Sequence, residues 1–188
     1  MLAAVGGHKE AVDVLLEKGA VVSARNRFGR TALMMAACSG KPVIVEILLH
    51  KGASINTQDW RGRCALIDAL LVGHGEVAVL LLAYGAAVNA QDSLRRTPLL
   101  LAAEKGYVPI VQALLAIGVS INVQDEVGRT PLIAAVENEH PTVVKLLLDA
   151  GANPSVADTQ ERTALIVAKQ LGNAALQSLL KNASAVQK

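Results

Sequence analysis

Apolar residues in this chain fall in two kinds of short run that alternate, and the alternation returns every 33 positions. Residues 91–123 show one full cycle. Gln91–Arg96 is polar, contains Asp92 and reads as a turn. Thr97-Pro98 then opens a short apolar helix, from Leu99 to about Glu104. The Thr hydroxyl accepts an orphan backbone N–H and proline fits the first helical turn. Gly106 breaks this helix at a position that tolerates positive φ. Beyond it Ile110, Val111, Leu114 and Leu115 stand at i, i+1, i+4 and i+5, one apolar stripe on a second helix running from about Pro109 to Ala116. Gly118 caps that helix.

The same unit recurs along the chain. Arg30, Arg63, Arg96, Arg129 and Arg162 stand 33 residues apart, each before Thr or Cys, then Ala or Pro, then Leu. Gly19, Gly52, Gly85, Gly118 and Gly151 keep the same period and each close a Leu-rich run. Two markers in phase define an internal repeat, and this period predicts a stacked solenoid. A turn with two short helices cannot bury its own stripe, so successive units must cover one another. Ala36, Ala69, Ala102, Ala135 and Ala168 form a column that lets helices approach closely. Leu15, Leu48, Leu81, Leu114, Leu147 and Leu180 form a column expected to be continuous core.

The fold expected is all-α, a single domain over 1–188. It divides into a partial first repeat (1–24), repeats at 25–57, 58–90, 91–123 and 124–156, and a capping repeat at 157–188. Gln177, Ser178 and Lys181 make the last second helix polar, as a cap requires. Leu2-Ala3-Ala4 enters partway through a first helix, which raises the expectation that the natural protein extends further towards its N terminus.

Composition refines the picture in four places. Hydrophobic residues make up 52% of the chain but aromatic residues only 2%, so the core must be Ala, Leu, Val and Ile, which suits thin stacked helices. The formal net charge of +2 is too small to suggest nucleic acid as the partner. No apolar run approaches the ~18–20 residues that span a bilayer, so the chain reads as soluble, with no membrane insertion. Cys38 and Cys64 lack CxxC spacing and a histidine cluster, which fits reduced thiols in an intracellular protein, cytoplasmic with the nucleus as the alternative.

The repeat resembles the ankyrin repeat. The strings that carry the likeness are Asp125-Glu126-Val127-Gly128-Arg129-Thr130-Pro131-Leu132 and Val143-Val144-Lys145-Leu146-Leu147-Leu148-Asp149-Ala150-Gly151-Ala152-Asn153, with related strings across essentially the whole chain. The resemblance implies an ankyrin-type solenoid of helix-turn-helix repeats, hairpin-like loops at right angles to them, and a groove lined by loop tips and first helices. It implies a monomeric scaffold or adaptor, not an enzyme. The competing expectation is a substrate-recognition module of a larger enzyme whose catalytic domain lies outside this segment. Family repeats carry His after Thr-Pro-Leu; here that column is Met34, Ile67, Leu100, Ile133 and Ile166, so apolar packing must replace a polar tie. Arg95 and Glu161 stand where the loop glycine is expected, which predicts distorted loops there. Asn56, Asn89 and Asn122 suit turn bonding, and in animal ankyrin proteins an Asn at this position can be a substrate for an asparaginyl hydroxylase.

Catalytic chemistry is not visible. His8, His74 and His140 share one repeat position and are kept apart by the period. No Ser, His and acid arrangement stands out, Gly6-Gly7 lacks the P-loop pattern, and no metal or cofactor is implied. The loops are richer: all nine arginines lie in them, and Arg27, Arg61 and Arg95 are additional to the repeating column. The only Phe and the only Trp, Phe28 and Trp60, occupy neighbouring loop tips rather than helices. Trp, Tyr and Arg dominate binding hot spots. The expected partner-binding residues are Phe28, Arg30, Trp60, Arg61, Arg63, Asp68, Tyr84 and Arg96, facing a protein segment with acidic and apolar residues. Asp68 interrupts an otherwise apolar column, so it is expected to face the groove or an arginine in a partly exposed pairing.

Overall fold

A computed structural model describes residues 1–186; the last two positions of the repeat expected at 157–188 lie outside the described residues. Twelve helices and one isolated bridge, between Ala157 and Thr163, are present among the described residues. The Cα positions cluster into two compact units, Met1–Ser93 and Leu94–Lys188.

In the first unit the helices are α1 (Leu2–Gly6), α2 (Lys9–Glu17), α3 (Ala32–Cys38), α4 (Pro42–His50), α5 (Ala65–Val72) and α6 (Gly75–Ala83). α1, α3 and α5 pack in one layer and α2, α4 and α6 in a second. The second unit repeats the plan with α7 (Pro98–Glu104), α8 (Val108–Ile117), α9 (Pro131–Glu137), α10 (Pro141–Asp149), α11 (Ala164–Gln170) and α12 (Ala174–Val186). There α7, α9 and α11 form one layer and α8, α10 and α12 the other.

The signals in the sequence act as expected at the helix starts. Thr31, Thr97, Thr130 and Thr163 each accept the backbone N–H three residues on, and proline follows at Pro98 and Pro131. Cys64 holds the equivalent place before α5 without a side-chain bond. At the starts of α6 and α10, His74 and His140 lie with their rings against the backbone of Gly40 and Gly106. His140 Nε2 stands 3.1 Å from the Glu104 carbonyl, a structural role.

The alanine column is sealed at 0% exposure throughout. Leu48, Leu81, Leu114, Leu147 and Leu180 are buried, but Leu15 is not; it is 50% exposed. Leu48 is covered by α2 and Leu81 by α4, whereas no described element lies beyond α1 and α2 to cover Leu15. The Met34 column is buried up to Ile133, and Ile166 is 38% exposed. Met34 also restores part of a polar tie: its Sδ accepts the Thr31 N–H at 3.4 Å.

The loops correct one expectation. Arg95 and Glu161 adopt φ of 59° each, beside 75°, 69° and 79° at Gly29, Gly62 and Gly128. The turn is therefore retained rather than distorted. A side chain sets it from three residues earlier: Asp158 Oδ1 accepts the N–H groups of Gln160 and Arg162, as Asp125 does for Val127 and Arg129.

Candidate functional site

Three features of the first two loops build a cleft. Asn26 and Asp59 each fold their loop by accepting two backbone N–H groups, Phe28 and Arg30 for the first, Arg61 and Arg63 for the second. The loops are then joined by Trp60 N–H donating to the Phe28 carbonyl at 3.3 Å. Arg25 reinforces the join, donating from Nε to the Gly29 carbonyl and from Nη2 to the Gln58 carbonyl at 2.8 and 2.6 Å. The indole of Trp60 lies on Gly29, where a Cβ would stand 2.9 Å from Trp60 Cδ1. Glycine there is thus a matter of space as well as of positive φ.

The resulting cleft, about 260 Å³, is lined by Phe28, Arg30, Asp59, Trp60, Arg61 and Arg63. Its aromatic side chains are open to solvent: Phe28 is 52% and Trp60 74% exposed. Arg27 sits over the Phe28 ring at 4.8 Å, a cation–π contact. Five of the eight residues expected at the site therefore come together in one place.

Asp68 belongs to the cleft from below. It is 1% exposed, on α5, and bonds Arg30 Nη2 at 2.5 Å, with Arg63 Nη1 3.7 Å away. The pairing is partly exposed on the arginine side only: the carboxylate is covered, while the Arg30 and Arg63 side chains keep 16% and 22% exposure. A group so covered acts on a partner only by fixing the two guanidiniums. Burial pushes its carboxyl above the usual range, against the pull of Arg30 and Arg63. Burial works against the Arg30 charge too, but Asp68 outweighs it and raises the guanidinium.

Tyr84 is placed elsewhere. It ends α6, and its hydroxyl lies 2.9 Å from His50 Nε2 and 3.5 Å from Glu46 on α4. Arg96 belongs to the second unit, directly before the Thr97 cap of α7. No group of three or more His, Cys, Asp or Glu that could hold a metal is found among the described residues, and no described helix is long and apolar enough to cross a membrane.

One residue essential to the cleft's charge went unnoticed in the pattern. Asn26 occupies the 33-residue position held by Asp59, Asp92, Asp125 and Asp158. It makes the same turn but brings no carboxylate. Aligning the loops on the arginine column would have exposed it.

The model of ankyrin repeats (3 copies) matches residues 1–59, 57–125 and 99–188. None of the curated protein sequences matches the chain. The crystal structure of an ankyrin repeat domain from Acinetobacter baumannii AYE is similar over 97% of this chain and 96% of its own, with 30% identity and a TM-score of 0.87. Matched along its length by the family model and in three dimensions by a solved member, the chain belongs to the ankyrin repeat family, whose repeats are general protein–protein interaction modules.

Proposed function

We propose that this protein is a non-catalytic scaffold or adaptor that binds a partner protein through the cleft between its first two loops. The observation that carries the reading is the joint exposure of Phe28 and Trp60 beside Arg61, whose guanidinium has no acidic partner among the described residues. Large aromatics are scarce in this chain, and two of them are spent on solvent rather than core. Aromatic and arginine side chains around a concavity are the usual makings of a hot spot. The partner segment combines acidic with apolar residues, the first for the arginines and the second for the rings. Asp68 serves by holding Arg30 and Arg63 in place. The repeats at 1–24, 25–57, 58–90, 91–123, 124–156 and 157–188 form one monomeric repeat domain, working inside the cell with its thiols free.

The test uses immobilised chain and nuclease-treated lysate, comparing the parent with Trp60→Ala and with Arg61→Glu. Both side chains are exposed, so each variant should keep its helix content and melt within about 0.5 kcal/mol of the parent. Affinity for the captured partner should fall at least about tenfold with Trp60→Ala, the scale of a hot-spot residue. Equal capture by parent and variants would refute the assignment of this cleft.

A further inference from the structure

Arg129 and Arg162 in the second unit are paired differently from Arg30 and Arg63 in the first. In the second unit Arg129 is held by Asp125 at 2.9 Å and reaches Glu137 at 3.4 Å and Glu104 at 3.6 Å. Arg162 is held by Asp158 at 2.7 Å and Glu137 at 3.0 Å. Arg129 and Arg162 each meet both the acid of their own loop and an acid at the end of a first helix.

The first unit lacks the helix-end acids, and its first loop lacks the loop acid as well. The loop position is Asn26 in the first loop, and the helix-end positions equivalent to Glu104 and Glu137 are Cys38 and Leu71. Arg30 has no carboxylate in its own loop, and it takes Asp68 instead, with Asp59 at 3.9 Å. Arg63 shares both of those acids. Three guanidiniums (Arg30, Arg61, Arg63) thus line the cleft, where the carboxylates of Asp59 and Asp68 pair with Arg30 and Arg63 and leave Arg61 over. The Nε atoms of Arg30 and Arg63 are buried without any hydrogen-bond partner. Donors outnumber acceptors, and positive charge outnumbers negative, at a cleft flanked by exposed aromatics.

Building on the reading of this cleft as the partner site, we propose that it is an oxyanion seat. It takes a single carboxylate or phosphate group carried on a partner's side chain, with an adjoining apolar or aromatic group laid on Trp60 and Phe28. Arginine suits both anions because its fork of N–H donors matches two oxygens at once. Arg61, exposed and without an acid, makes first contact; Arg30 and Arg63, fixed by Asp68, supply the prepared charge behind it. Asn26 is the specificity-determining residue, since its neutrality leaves the seat its surplus.

Trp60 is the only tryptophan, so its fluorescence reports this site alone. The chain is titrated with N-acetyl-phosphotyrosine amide and with the N-acetyl amide of Glu-Leu, each against its neutral counterpart, N-acetyl-tyrosine amide and the Gln-Leu amide. At least one anionic probe should quench saturably and bind about tenfold tighter than its neutral form; the tighter of the two assigns phosphate or carboxylate. Asn26→Asp restores the acid that Asp59, Asp125 and Asp158 already supply in the same turn, so its melting should match or exceed the parent's. It should weaken the anionic probe about fivefold, the scale of one added charge near a surface pair, and leave the neutral probe unchanged. Arg61→Gln should act in the same direction. Anionic and neutral probes binding alike, or Asn26→Asp leaving anion affinity unchanged, would overturn the seat. Partner capture that depends on Trp60 yet ignores Asn26→Asp would sink the oxyanion seat and leave the cleft reading standing.

Discussion

Position 161 tests whether the loop turn, rather than the residue placed in it, dictates the backbone. Glu161 is held at φ 59°, in the left-handed region where an L-residue costs about 1–2 kcal/mol. Glycine would remove that cost and concede about 0.5–1 kcal/mol of unfolded-chain entropy. Glu161 is exposed, and its backbone N–H to the Asp158 carbonyl, 3.0 Å, survives the change. Glu161→Gly should therefore stabilise the chain by about 0.5–1 kcal/mol. Gly128→Ala is the reverse experiment with an added steric charge against it. At φ 79° the new Cβ would stand 2.8 Å from Thr159 N and 2.9 Å from Asp158 Cα, both backbone atoms that cannot swing aside. Relief requires the next loop to retreat, breaking Thr159 N–H to the Val127 carbonyl at 3.1 Å. A left-handed penalty of about 1–2 kcal/mol and a lost hydrogen bond of about 1, offset by about 0.5–1 of unfolded-chain entropy, give a loss of about 1–2 kcal/mol. Urea denaturation followed by far-ultraviolet circular dichroism measures both, and each 1 kcal/mol moves the melting temperature by about 2–4 °C in a chain of this size. Destabilisation by Glu161→Gly, or Gly128→Ala within about 0.5 kcal/mol of the parent, would refute the reasoning.

Two further outcomes follow from the caps and turns. Cys64→Thr should supply the hydroxyl cap that α5 lacks and the other Thr-led helices have, raising stability by about 0.5–1 kcal/mol in thermal melts; a loss would mean that the buried pocket around Cys64 rejects the hydroxyl. Burial works against the Asp158 charge, but the N–H groups of Arg162 and Gln160 and the Arg162 guanidinium hold its carboxyl below the ordinary value. A carboxyl depressed on folding contributes stability above its unfolded value of about 3.9 and loses it as pH falls through the lower folded value. The stability gap between parent and Asp158→Asn should thus be widest near neutrality and close in acid, and an NMR midpoint for Asp158 above about 3.9 would contradict it.

The repeat, the helix starts and the sealed alanine column were legible because each depends on residues close in sequence, read once and repeated. Thr130-Pro131 opens a helix by bonds that reach only three positions on, so no knowledge of the neighbouring repeat is needed. Leu15 shows where that logic stops: the residue is the same as Leu81, but burial depends on what lies across from it, and nothing described does. Glu161 shows a second failure, in which the turn-setting bonds to Asp158, three residues earlier, outweigh a missing glycine; Arg95 keeps the same φ.

The arginine column was the most visible feature of the sequence and the least informative about the site. Arg30, Arg63, Arg129 and Arg162 share a position in the repeat, so a column reading gives all four one role. Their charges are in fact settled by other columns. Asn26 against Asp125, Cys38 and Leu71 against Glu104 and Glu137, and Asp68 alone in an apolar row decide which guanidiniums are neutralised locally. The Arg30–Asp68 pair spans 38 residues, one full repeat and part of the next, a separation at which no string motif connects the partners. In a stacked repeat the framework is therefore written along the period. The binding surface is written in the departures from it, and those become readable only when a residue is compared with its counterparts 33 positions away and then paired across the stack.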